Sequence, residues 1–186
     1  MTQKKLGILL SAGLILSVSF GLSAQDNATH ISTNEIMTVF EHLGETIDQQ
    51  IKVVDIGDDI NIAVGILRRA GTRTEGEEIN AILHHRVTEV YYVLSGSGVL
   101  VTGGEESNPR EFPSDNISVL ELIGPSGSRT TIEGQVQTIS TGDIVVIPAG
   151  VPHGFRNIQD QITCLLYTSD AADEGLGVDL GGRRII

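Results

Sequence analysis

The rhythm of hydrophobic and polar positions changes twice along the chain. From Leu6 to Leu22 the residues are apolar with interspersed Gly and Ser, behind Lys4 and Lys5 and ahead of Ser23, Ala24, Gln25 and Asp26. A short positive start, an apolar run and small residues before a polar stretch are the order of a secretory leader. Cleavage after Ala24 is expected, with Ser23 as a second candidate because Leu22 is a poor residue at the −3 position. The alternative is an uncleaved membrane anchor. A run this short and this rich in Gly and Ser favours cleavage, and no Cys near the site offers a lipid attachment point. Residues 1–24 are therefore read as a signal peptide. The mature protein is expected in the periplasm or secreted, with no stable membrane association after cleavage.

Next comes a helical period. Ile36, Val39, Phe40 and Leu43 fall on one face, with Thr33 or Asn34 as N-cap and Gly44 as the stop. This places an N-terminal helical segment in residues 25–50. Beyond Gln50 the pattern breaks into short strands: 51–56, 60–68, 79–85, 89–94, 98–102, 117–123, 130–133, 135–139 and 144–147. Turns rich in Gly, Asp and Ser separate them, and the polar stretch 105–116, with Pro109 and Pro113, reads as a long loop. Many short strands with Gly-rich turns predict an all-β sandwich or barrel over residues 51–163.

Charge narrows the partners. The 186 residues carry 12 basic and 24 acidic side chains, a net charge of −12. Because the leader contains no acid, the negative charge belongs to the mature part. Such a surface argues against nucleic acid and anionic lipid as partners.

The end of the chain reads differently. Residues 164–186, from Cys164-Leu165-Leu166-Tyr167-Thr168-Ser169 to Arg183-Arg184-Ile185-Ile186, resemble the in-frame translation of a transposase-type sequencing-library adapter. On that reading the tail is an artefact, and the only cysteine, Cys164, is not native. Neither a disulfide framework nor a thiol nucleophile can then be argued. The alternative is a natural tail rich in Gly and Asp.

Two spaced motifs carry the chemistry. The first is Gly76, five residues, Ile82-Leu83-His84, four residues, Glu89, six residues, Gly96. The second is Gly142, five residues, Pro148-Ala149-Gly150, two residues, His153, three residues, Asn157. Residues two apart in a strand share a face, so Ile82 and His84 would point inward together. A bend at Pro148 and Gly150 would re-aim His153 toward the same interior. Shifting the strand by one residue would turn Leu83 and His85 inward instead, so His84 and His85 are alternatives, with the Gly76 spacing favouring His84. Tyr91 shares a face with Glu89, and Phe155 with His153; both are candidates for a pocket wall, with simple core the competing reading for Tyr91. Arg68, Arg86 and Arg156 could each clamp a carboxylate or phosphate, against the simpler reading of solvated surface cations. His30 and His42 read as surface residues.

The two motifs resemble those of the cupin family, with Ile82 where the family's first motif has its first histidine. The resemblance spans about residues 60–163 and implies a cupin double-stranded β-helix, a jelly-roll barrel with a short N-terminal helix. It also implies a divalent metal, Fe, Mn or Zn, held by His84 (or His85), Glu89 and His153. Two imidazoles and one carboxylate leave coordination positions open, which suits Fe(II) and also catalytic Zn²⁺. Two classes of function follow: a dioxygenase-like or isomerase-like enzyme on a small organic molecule, or a non-catalytic periplasmic module that binds or senses a small ligand. A homodimer is possible in either case.

Overall fold

The computed structural model describes residues 27–43, 48–57 and 60–170. The leader, the stop at Gly44 and the tail beyond Asp170 lie outside the described residues. The helix, α1 (Thr33–His42), begins one residue earlier than the sequence suggests. Ser32 is the N-cap, not Thr33 or Asn34, because Glu35 three positions on can answer it. The Ser32 hydroxyl accepts from the Glu35 backbone N–H at 3.2 Å, and the Ser32 N–H donates back to the Glu35 carboxylate at 2.8 Å. Among the described residues no helix is long and apolar enough to cross a membrane.

The rest is antiparallel sheet: β1 (Asp48–Gly57), β2 (Ile60–Arg73), β3 (Ile79–His84), β4 (Val87–Thr102), β5 (Glu105–Glu111), β6 (Ser126–Ile132), β7 (Gln135–Ser140), β8 (Ile144–Ile147) and β9 (His153–Asp170). Along the sheet the order is β1-β2-β9-β3-β6-β5, while β4 pairs with β7, β8 and β9. The pairing does not close into a full ring. The sheet nevertheless curls strongly, because Glu89 pairs with Thr168 near the end of β9 and still lies 3.0 Å from His153 at its start. This is the all-β architecture expected from the strand pattern, in the jelly-roll form that the family resemblance implies.

Four features differ from the sequence expectation, each for a physical reason. The stretch 105–116 is not all loop, since β5 pairs with β6; every β5 side chain is exposed, so no alternation betrays the strand. The apolar stretch 117–123 is not a strand; it holds a single π-helical turn, Val119–Ile123. Segments 89–94 and 98–102 form one strand, which passes Ser95-Gly96-Ser97 with shifts in register. Gly96 makes this possible: at φ +82° a Cβ there would lie 1.9 Å from the Gln161 carbonyl oxygen. Finally, β9 runs past Thr163. Cys164, Leu166 and Thr168 alternate into the interior, so the first residues of the stretch read as a tail lie in the sheet.

The core between the sheet's layers is built from Leu67, Val93, Leu100, Ile147, Ile158 and Ile162, with Tyr91 and Cys164 among them. Each fully buried aliphatic side chain contributes about 1.5–3 kcal/mol. Burial pushes the Cys164 thiol up to about 12, which leaves it a packing residue and not a nucleophile.

Candidate metal centre

Both motifs meet at one end of the jelly roll. His84 is the last residue of β3, Glu89 sits near the start of β4, and His153 opens β9. The Pro148–Gly150 bend is pinned to the first motif by its backbone. The Gly150 N–H donates to the His84 carbonyl at 2.7 Å, and the Ala149 N–H donates to the Thr88 hydroxyl at 3.3 Å. The chain can therefore leave β8 and bring His153 back over Glu89.

His84, Glu89 and His153 are each 3% exposed, and their ligand atoms lie within 4.8 Å of one another. His84 Nε2 is 3.3 Å from Glu89 Oε1, and His153 Nε2 is 3.0 Å from Glu89 Oε2. The far side of each ring is fixed. His153 Nδ1 donates to the Val151 carbonyl at 3.0 Å. His84 Nδ1 lies 2.7 Å from the Ser126 hydroxyl, whose single proton has carbonyl acceptors at Ile123 (2.9 Å) and Gly124 (2.8 Å). Ser126 is thus the acceptor for His84, and both imidazoles carry their proton on Nδ1.

Both Nε2 lone pairs therefore aim at a carboxylate that also bears only lone pairs. The Tyr91 hydroxyl, 3.0 Å from Glu89 Oε2, is the one O–H among them. His153 Nε2 is buried without an aligned hydrogen-bond partner. An electron-rich hub of this kind is stable only with positive charge at its centre, supplied by protons on Nε2 or by a cation. The donor set fits a divalent metal. Burial alone would push the Glu89 carboxyl up; with His153 and His84 also protonated on Nε2, their charge and hydrogen bonds outweigh that and hold it below the ordinary carboxylate range. Burial, together with the Glu89 charge, holds the Tyr91 hydroxyl well above the usual phenol value and so keeps it a donor.

His85, the alternative to His84, faces outward. Its Nε2 is 2.6 Å from Glu111 Oε2, and Glu111 is shared with Arg129. Tyr91 and Phe155 both line a cavity of about 780 Å³, together with Ile82, Arg68 and His153. Ile82 pairs across the strands with His153, so the residue at the departing motif position does stand beside the hub. Arg156 donates to the Glu77 carbonyl, and the His42 ring contacts the Thr38 carbonyl on exposed α1. Ser126 has no signal in the sequence, because a single serine at a strand start matches no spacing rule.

A sequence profile described as the cupin domain matches residues 127–169. No curated protein matches the chain. Among solved structures, the DMSP lyase DddQ of Ruegeria pomeroyi is 17% identical, with 63% of this chain and 41% of that chain covered and a TM-score of 0.35. A putative sugar phosphate isomerase of Acidithiobacillus ferrooxidans is 20% identical over 59% of this chain and 55% of that one, at 0.34. A protein of Bacillus halodurans is 15% identical over 81% and 86%, at 0.41. The chain thus spans less than two thirds of the length of the first two. The matched profile contains the whole second motif, and the first motif faces it across the same jelly roll.

Proposed function

We propose that His84, Glu89 and His153 hold one divalent metal, of the Fe, Mn or Zn class, and that the chain is a metal-dependent enzyme acting on a small organic molecule in the adjoining cavity. The observation that carries this reading is the convergence of three lone-pair groups whose outer ring nitrogens are already engaged. A bound metal would supply Lewis-acid activation at its open positions. The chain's own part is to orient and to exclude water. Ser126 and the Val151 carbonyl fix the rings, Tyr91 keeps a proton beside Glu89 Oε2, and Ile82 closes the apolar side.

Metal analysis of protein purified without a metal-binding tag tests the reading. The expected result is near-stoichiometric metal that is lost in His153→Ala. Absence of metal in the unaltered chain, with unchanged behaviour of His153→Ala, overturns it. A second reading, a non-catalytic ligand-binding or sensing module, is favoured by Ile82, which removes one donor from the motif. Saturable ligand binding without turnover by metal-loaded protein would select it. We place the mature protein outside the cytoplasm on the strength of residues 1–24; fractionation of cells expressing the full chain tests this. Resequencing the source locus tests the adapter reading of residues 164–186.

A further inference from the structure

We propose that the cavity beside the hub takes a small organic anion bearing a single carboxylate, seated on Arg68. Arg68 belongs to β2, lines the cavity and is half-buried. Its Nε is buried without a hydrogen-bond partner. Its guanidinium is instead capped by the Phe40 ring of α1, 4.7 Å from Cζ. A cation–π contact covers one face of the guanidinium plane and leaves the N–H edge unmet. A buried donor of this kind is costly unless a ligand answers it.

The charge count selects the ligand class. Arg69 also lines the cavity, but both Asp48 oxygens engage it, at 2.6 and 3.1 Å, so its charge is already balanced. Among the described residues lining this cavity, Arg68 is then the cation without a counter-charge, in a chain of net charge −12. A guanidinium edge matches one carboxylate in both charge and shape, whereas a phosphate dianion would keep a surplus negative charge. Ile82, Leu100, Phe155 and Ile158 supply an apolar wall, so the ligand carries a hydrocarbon body as well as its anionic end. His153 lines the same cavity, which puts the ligand next to the hub. The inference deepens the function proposed above and rests on it only for what the metal would do to that ligand.

Benzoate and benzyl alcohol, similar in shape and different in charge, are suitable probes. They would be titrated into full-length protein with methyl-labelled isoleucines, before and after EDTA treatment. Benzoate is expected to shift the Ile82 and Ile158 methyl signals saturably, with benzyl alcohol at least tenfold weaker. Arg68→Gln is expected to weaken benzoate at least tenfold, while Arg68→Lys keeps the preference for the anion. Equal binding of the two probes, shifts confined to methyls outside the cavity, or unaltered benzoate binding in Arg68→Gln overturns the inference. The comparison of probes in the unaltered chain stands even if a variant fails to fold. A chain that binds benzoate after EDTA but never holds stoichiometric metal keeps this inference and loses the metal reading. One that holds metal but does not prefer benzoate does the reverse.

Discussion

His84 and His85 are neighbours in sequence, and each meets a glutamate, yet they stand in opposite environments. On the inner side, His84 and Glu89 are 3% and 4% exposed at the side chain, and their closest approach is 3.3 Å. On the outer side, His85 and Glu111 are 40% and 56% exposed and approach to 2.6 Å. The shorter contact is the weaker one. Water screens the outer pair, and Arg129 already shares Glu111, so little depends on it. Inside, no solvent compensates, and a second imidazole crowds the same carboxylate. A carboxylate's chemical role at this end of the jelly roll therefore follows from which lone pairs surround it after desolvation, and not from its distance to a histidine.

That contrast can be broken most directly by exchanging the histidines one at a time. His84→Ala is expected to abolish stoichiometric metal and His85→Ala to leave it intact, read by elemental analysis; loss in both, or in neither, would erase the distinction. Next in size is metal removal. At a free metal concentration a hundredfold above Kd, stripping should lower stability by about 2.7 kcal/mol, seen as a fall in the urea midpoint of the unaltered chain and no fall in His84→Ala. Ser126→Ala removes the acceptor that orients His84, and metal affinity is expected to drop about 10–100-fold in a competition titration. The smallest effect belongs to the outer pair. Its contacts with His85 and Arg129 hold the Glu111 carboxyl below its ordinary value of 4.5. A depressed carboxyl stabilises the fold above that ordinary value, and the contribution disappears as pH falls through the folded value. Glu111→Gln should thus lower the neutral-pH urea midpoint only slightly and flatten its decline below pH 4.5.

Much of this architecture is legible before any coordinates. Short apolar stretches between turn signals find β2, β3 and β8, and the intact second motif points to His153. The Gly76 spacing favours His84, and His84 is the histidine that turns inward. Where the pattern misleads, the physics is specific. β5 is solvated on both faces, so its residues record no inside. The apolar stretch around Val119 and Ile123 is too short for period alone to separate a helical turn from a strand. The continuity of β4 rests on backbone at Gly96 folding against β9, a tertiary fact that sequence reads as a turn. Ser126 is the deepest omission, because its role depends on two carbonyls that the chain supplies only once the π-helical turn has formed.

Ile82 stands opposite His153 across the strand boundary and lines the cavity. This position makes the hub adjustable by a single substitution. Ile82→His would add an imidazole on the face where a ligand would otherwise rest, exchanging an open, greasy approach for a fourth donor. With isoleucine there, a six-coordinate metal at this hub would keep three places for molecules from outside, arranged beside a wall that rewards hydrocarbon. The substitution would thus exchange an apolar wall of the cavity for a fourth possible donor at the hub.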